Sequence, residues 1–221
     1  MKAENILVHP NQMIIAARAK AGSGSSFVQI FDMKNEKKVS QCEVKEDIEH
    51  WTWINTSTLG VVGANKVYHL EAKTGNLKEM FPRASQLSGN HIMGYSVSKD
   101  GTWAILHGIG AAEDKSIIGN MQLYSIEKSQ QQILEGFCGC FSEVCVNDDP
   151  EYKNSLFSFI EKKKGNPTST LRIMEIGNPK SGDAKFKQSA QFAYPPDVQN
   201  DFPVVVHSVE KYGILFAVTK F

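Results

Sequence analysis

The feature that most constrains this chain is a repeated pair of strand-like runs. Runs of one kind recur at MIIAAR (from Met13), TLGVVG (from Thr58), WAILHG (from Trp103), LFSFIE (from Leu156) and ILFAVT (from Ile214), with starts 45, 45, 53 and 58 residues apart. A second kind alternates in hydropathy and ends in an acid or its equivalent. It follows the first four as FVQIFDM (from Phe27), KVYHLEA (from Lys66), MQLYSIE (from Met121) and TLRIMEI (from Thr170). Turns rich in Gly, Asn or Lys join the pairs (AKAGSGSS, AN, GAAEDK and KKKGNP), as in β-hairpins. Weaker strands at 39–44, 77–80, 131–135 and 186–192, and one ahead of each unit such as 91–97, bring the count to about four strands per unit of about 50 residues. That repeat is the β-propeller pattern. Both faces of many runs are apolar. In 13–18, Met13, Ile15 and Ala17 point one way and Ile14 and Ala16 the other, which suits a blade between two neighbours better than a sandwich sheet with one wet face. No segment of ten or more residues shows a 3.6-residue period, and the one helical candidate, 84–89, is too short. The expected fold class is all-β: a partial β-propeller of about four to five blades.

Composition narrows the function. Lys plus Arg and Asp plus Glu are 24 each, so no basic surplus favours phosphate and no nucleic-acid partner is expected. No apolar run approaches the roughly 20 residues of a membrane span. The start MKAENILVHP lacks a signal-peptide core, and a cytoplasmic location is expected. Cys42, Cys138, Cys140 and Cys145 suit a reducing compartment; the C-x-C-x₄-C run lacks a fourth ligand at metal spacing. Cys138 and Cys140 fall on one strand face and are expected to be buried thiols rather than zinc ligands. The Gly-rich AGSGSS lacks the G-x-x-x-x-G-K-[ST] order and lies between strands. Six histidines are scattered, and no serine stands in a strained elbow. No catalytic residue, metal or cofactor is therefore expected. The run Lys162–Lys164 before Gly165–Asn166–Pro167 suits a solvated hairpin tip. Trp51 and Trp53 share a strand face and are expected to fill the space between blades, as Trp103 could.

Three segments carry a family resemblance: HWTWINTSTLGVVGANKVYHLE (50–71), IIGNMQLYSIEK (117–128) and FAYPPDVQNDFPVVVHSVEKYGILFAVTKF (192–221). In order and spacing they resemble the amino-terminal propeller domain of the clathrin heavy chain. YPPDVQNDFPV is specific, because an ordinary WD-type propeller has no reason to keep it. The resemblance covers almost the whole chain and implies part of a seven-bladed clathrin-type propeller. On that alignment residues 1–221 correspond to family blades 2 to 5, the last incomplete. It implies a non-enzymatic coat component that recruits adaptor proteins bearing short leucine-rich acidic motifs in coated-vesicle formation, endocytosis and intracellular protein transport. The place of action would be the cytoplasmic face of coated pits and vesicles. The membrane would be reached only indirectly through adaptors, and other clathrin chains only through regions outside this sequence. An unrelated WD-type scaffold or a propeller hydrolase is the alternative.

The resemblance also implies sites. In the clathrin-box groove, between the family's first and second blades, Ile15 and Phe31 match pocket walls, Gln29 a polar contact, and Arg18 and Lys38 basic residues that face the peptide acid. Half of that groove would come from a blade outside this sequence. In the arrestin-type groove, between the fourth and fifth blades, the matches are Trp103, Lys128, Gln132 and Leu134. At the top pocket they are His91 and Met93.

Overall fold

The computed structural model describes residues 3–22, 24–145, 153–162, 166, 168–177, 186–193 and 201–220. The YPPDVQN stretch (194–200) and Lys163, Lys164, Gly165 and Pro167 of the lysine-rich turn lie outside the described residues.

Among the described residues, eighteen strands build five antiparallel sheets. The first sheet runs β1 (Asn5–Val8), β2 (Ile14–Lys20), β3 (Ser26–Asp32) and β4 (Lys37–Val44); the second runs β5 (Ile48–Trp53), β6 (Thr58–Gly63), β7 (Lys66–Glu71) and β8 (Leu77–Pro82). The third holds β9 (His91–Val97), β10 (Trp103–Ala111), β11 (Ile117–Ser125) and β12 (Gln130–Glu135), and the fourth β13 (Cys138–Val144), β14 (Asn154–Glu161), β15 (Thr168–Glu175) and β16 (Lys187–Ala193). The fifth is the hairpin β17 (Pro203–Val209) and β18 (Ile214–Thr219). In the four complete sheets strands neighbour one another in chain order, which is the up-and-down meander of a propeller blade. The fold is all-β and a partial β-propeller. The helical candidate at 84–89 is a single 3-10 turn, Ser85–Leu87.

The acid or equivalent that closes the first three second-type strands has a physical reason. Asp32 Oδ1 accepts the amides of Lys34 and Asn35 at 2.9 and 3.0 Å, the Thr74 hydroxyl donates to Glu71 Oε2 at 2.8 Å, and Ser125 Oγ accepts the Lys128 amide at 3.3 Å. These oxygens hold the next turn, whose left-handed residues are Glu36, Gly75 and Ser129, each four positions after the holder.

The chain divides into two compact units, Met1–Ser88 and Gly89–Phe221. In the first, Ala16, Val28 and Ile30 of the first sheet and Trp51, Leu59, Val61 and Leu70 of the second form one buried cluster, against which Trp53 packs. The two tryptophans therefore lie between sheets, as expected. The ring of buried His9 meets Trp53 edge-on at 4.7 Å between centroids. In the second unit, Ile105, Met121 and Leu123 of the third sheet pack with Phe157 and Phe159 of the fourth. The other face of the fourth sheet, through Cys138 and Ile160, packs with Phe202 and Val206. Strand β14 is buried almost throughout because it serves both clusters, which explains a run apolar on both faces.

Candidate functional site

Pairing in antiparallel strands puts directly opposed residues on one face. In the third sheet Trp103 stands opposite Ser125, Ile105 opposite Leu123, and His107 opposite Met121; β12 adds Gln130, Gln132 and Leu134 in line. Trp103, Gln132 and Leu134 thus share one face. It is the face packed on the fourth sheet, where Trp103 and Leu134 border the cluster of Phe157 and Phe159. Lys128 projects from the β11–β12 turn and is exposed. The structure brings Trp103, Gln132 and Leu134 together on one face, with Lys128 in the turn between β11 and β12.

On the fourth sheet, β15 and β16 extend the face that carries Phe157 and Phe159. Phe159 stands opposite Arg172 and Phe157 opposite Met174, while β16 places Ser189 against Arg172 and Lys187 against Met174. A cleft of about 190 Å³ is lined by Arg172, Met174, Lys187 and Ser189 together with Ile173 and Gln188. Arg172 Nε donates to Glu161 Oε2 at 2.6 Å, which fixes the guanidinium beside the apolar floor. Sequence reading missed Arg172, Met174 and Lys187. The signal was available: TLRIMEI alternates with a period of two, so Arg172 and Met174 share a face once one of them is placed.

The expected residues of the first sheet do not all come together. Ile15 pairs with Phe31, Ala17 with Gln29, and Phe31 with Lys38, so Ile15, Gln29, Phe31 and Lys38 share a face. The Lys38 ammonium donates to Gln41 Oε1 at 2.7 Å on that side. Arg18 is a correction. It pairs with Val28, whose face is the buried one between the first and second sheets, and its guanidinium donates to the Ile48 carbonyl. On β2 it lies on the face opposite Ile15. His91 and Met93 both lie on β9, His91 exposed and Met93 half-buried. Met93 falls at the bulge where the pairing of β9 with β10 shifts.

Cys138 and Cys140 do share a face, and burial pushes both thiols up to about 12, which makes them inert packing groups. Lys162 is a second correction. It is half-buried rather than a solvated tip, its ammonium donates to the Asp201 carbonyl, and desolvation lowers its pKa.

No family profile matches the chain. Clathrin heavy chain 2 of Oryza sativa subsp. japonica is 33% identical over 228 residues, taking in 99% of this chain and 13% of that protein. Probable clathrin heavy chain 1 of Caenorhabditis elegans is 33% identical over 223 residues, and clathrin heavy chain 2 of Homo sapiens is 30% identical over 225, each covering 100% of this chain and 13% of its own length. The chain is a relative of the clathrin heavy chains. It spans 13% of the length of these clathrin relatives, and because the match takes in the whole chain, both compact units share the relationship. Among solved structures, the β-propeller domain of the Trilobed protease from Pyrococcus furiosus matches with a TM-score of 0.40 and 9% identity over 100% of this chain and 79% of that one. The relationship to clathrin rests on sequence.

Proposed function

We propose that the chain is a non-enzymatic scaffold of the clathrin-coat kind that recruits adaptor proteins by holding short leucine-rich acidic peptides between the third and fourth sheets. The carrying observation is the apolar cluster that the two sheets share. Trp103 and Leu134 of the third sheet and Met174 of the fourth border the buried Phe157 and Phe159, with exposed Lys128 in the β11–β12 turn and Arg172 and Lys187 lining a cleft on the fourth sheet. An extended peptide laid along this seam would set its apolar anchors against the cluster and its acid toward these cations. The first-sheet groove has one wall among the described residues and lacks Arg18 on its face.

In this reading the first sheet corresponds to the family's second blade, so the groove lies between the fourth and fifth. The hairpin β17–β18 then falls one blade beyond the range 2 to 5 read from the sequence, because four complete sheets precede it. The family relationship supports a role on the cytoplasmic face of coated pits and vesicles, in endocytosis and intracellular protein transport. Useful strength there would come from many weak contacts engaged at once.

The test is calorimetric titration of a leucine-rich acidic peptide against the wild type and against Leu134→Asp, Lys128→Glu and Ile15→Asp. The expected wild-type affinity is about micromolar or weaker, since a short peptide loses chain entropy on docking. Leu134→Asp and Lys128→Glu should weaken it about tenfold or more, with Ile15→Asp unchanged. Binding indifferent to both groove variants would sink the assignment.

A further inference from the structure

On the fourth sheet, Arg172, Met174, Lys187 and Ser189 are the four corners of a patch on one face: Arg172 stands opposite Ser189 and Met174 opposite Lys187. The next residues in register are hydrogen-bonded, the Glu175 amide donating to the Phe186 carbonyl at 2.8 Å. Antiparallel ladders alternate, so both pairs in the patch are of the non-hydrogen-bonded kind, whose side chains stand closest. Arg172 and Lys187 are diagonal neighbours, roughly 7–8 Å apart at the backbone, and two side chains of that length reach one point. The cleft between them has a volume of about 190 Å³. Among the described residues the guanidinium has one partner, Glu161, which accepts from Nε at 2.6 Å. That bond leaves both Nη groups to a ligand, together with the ammonium of Lys187 and the hydroxyl of Ser189, which are exposed. Glu161 cancels one of the two positive charges and leaves the other in excess.

We propose, building on the recruiting role above, that this cleft is a phosphate subsite: it takes a phosphoserine or phosphothreonine of an extended adaptor peptide whose leucine lies against the neighbouring apolar cluster. A carboxylate brings one charge and two oxygens, fewer than the donors that line the cleft. A phosphate monoester brings nearly two charges at neutral pH and three terminal oxygens, and the paired Nη groups of an arginine suit it in a bidentate contact. The face itself favours a peptide. Met174 lies at the patch and also borders the cluster of Phe157 and Phe159, so one extended chain can engage the cluster with an apolar side chain and the cleft with its phosphate. A membrane surface is the poorer fit, because Ile173 and Met174 are half-buried and no large apolar side chain at the cleft is exposed for insertion among lipids.

Calorimetric titration of the whole chain with leucine-rich acidic peptides tests this. Each peptide carries one serine, placed about two to six residues after the leucine across the set, a reach of roughly 7–20 Å in extended chain, and each is used with and without phosphate on that serine. In at least one placement phosphorylation should tighten binding about tenfold or more. Lys187→Gln and Ser189→Glu, both at exposed positions, should each bring that ratio below about twofold, and Lys73→Gln, at an exposed turn of the first unit, should leave it intact. A ratio near one at every placement, or a gain that survives both cleft variants, would overturn the phosphate subsite and leave the recruiting role standing. No binding by any peptide, phosphorylated or not, would remove both. Vesicles containing a phosphoinositide supply the other source of phosphate: cosedimentation abolished by Lys187→Gln, with no preference for phosphopeptide, would assign the cleft to a lipid headgroup and overturn the peptide reading.

Discussion

At the scale of single residues, His69 illustrates what a fold does to a titratable group. Burial first, and the charge of Lys78 opposite it on β8 second, bring its pKa from the ordinary 6.5 down to about 4. The folded ring is thus neutral where an unfolded one would protonate. As pH falls from about 6.5 to about 4 the unfolded chain takes up a proton that the folded chain refuses, and stability is lost across that window; below it the group adds nothing further. The loss should be of order 1–2 kcal/mol, because partial exposure of the ring screens the effect. Urea midpoints measured between pH 7 and 4.5 should fall for the wild type and fall less for His69→Gln. Parallel slopes would refute this. Nothing in the sequence distinguishes His69 from the other five histidines, since its burial comes from neighbouring strands. Arg18 is the opposite case. An odd separation from Ile15 puts it on the other face of a period-two strand, so its position was legible although the family pattern suggested otherwise.

Strands were legible as elements because the core side of each carries its own alternation. All five runs of the first type became strands, β2, β6, β10, β14 and β18, and all four of the second type became β3, β7, β11 and β15. The outer strands β4, β12 and β16 were fainter because they are largely exposed, so hydropathy marks them weakly. Lys187 was missed for the same reason: it lies on β16. Close backbone approach is invisible to hydropathy altogether. A Cβ on Gly119, within β11, would lie 2.4 Å from the carbonyl oxygen of Gly136 and 2.9 Å from the Cα of Phe137, where β12 gives way to β13. Both obstacles are backbone, and the Gly136 amide donates to the Gly119 carbonyl at 3.0 Å. Gly119→Ala should therefore cost about 2 kcal/mol or more, whereas Gly101→Ala, with open space but a φ of 74°, should cost about 1 kcal/mol through backbone strain alone. Chemical denaturation of the two variants side by side checks the ranking, and equal losses would show that the β12–β13 junction yields easily.

At the scale of the whole molecule, two compact units with separate apolar clusters imply that stability need not be shared evenly. In a series of repeats each unit draws its stability from its neighbours, so a defect is felt near where it is made. Leu59 is fully buried in the cluster of the first two sheets, and Phe157 is fully buried in that of the third and fourth, its ring 5.2 Å from Phe159 and 5.4 Å from Phe141. Truncation to alanine leaves a cavity in either case, with a loss of about 2–5 kcal/mol for leucine and about 3–5 kcal/mol for phenylalanine. Native-state hydrogen exchange then reads out where that loss falls. Leu59→Ala should speed exchange in β1 to β8 and leave β13 to β16 near the wild-type rate, and Phe157→Ala should do the reverse. Equal acceleration along the chain in both variants would mean one cooperative unit instead. The groove would then share its stability with the first sheet, and Ile15→Asp could weaken peptide binding by unfolding alone. Local exchange would instead make Ile15→Asp a clean control for the groove variants, because a defect in the first unit would leave Leu134, Lys128 and Arg172 in place.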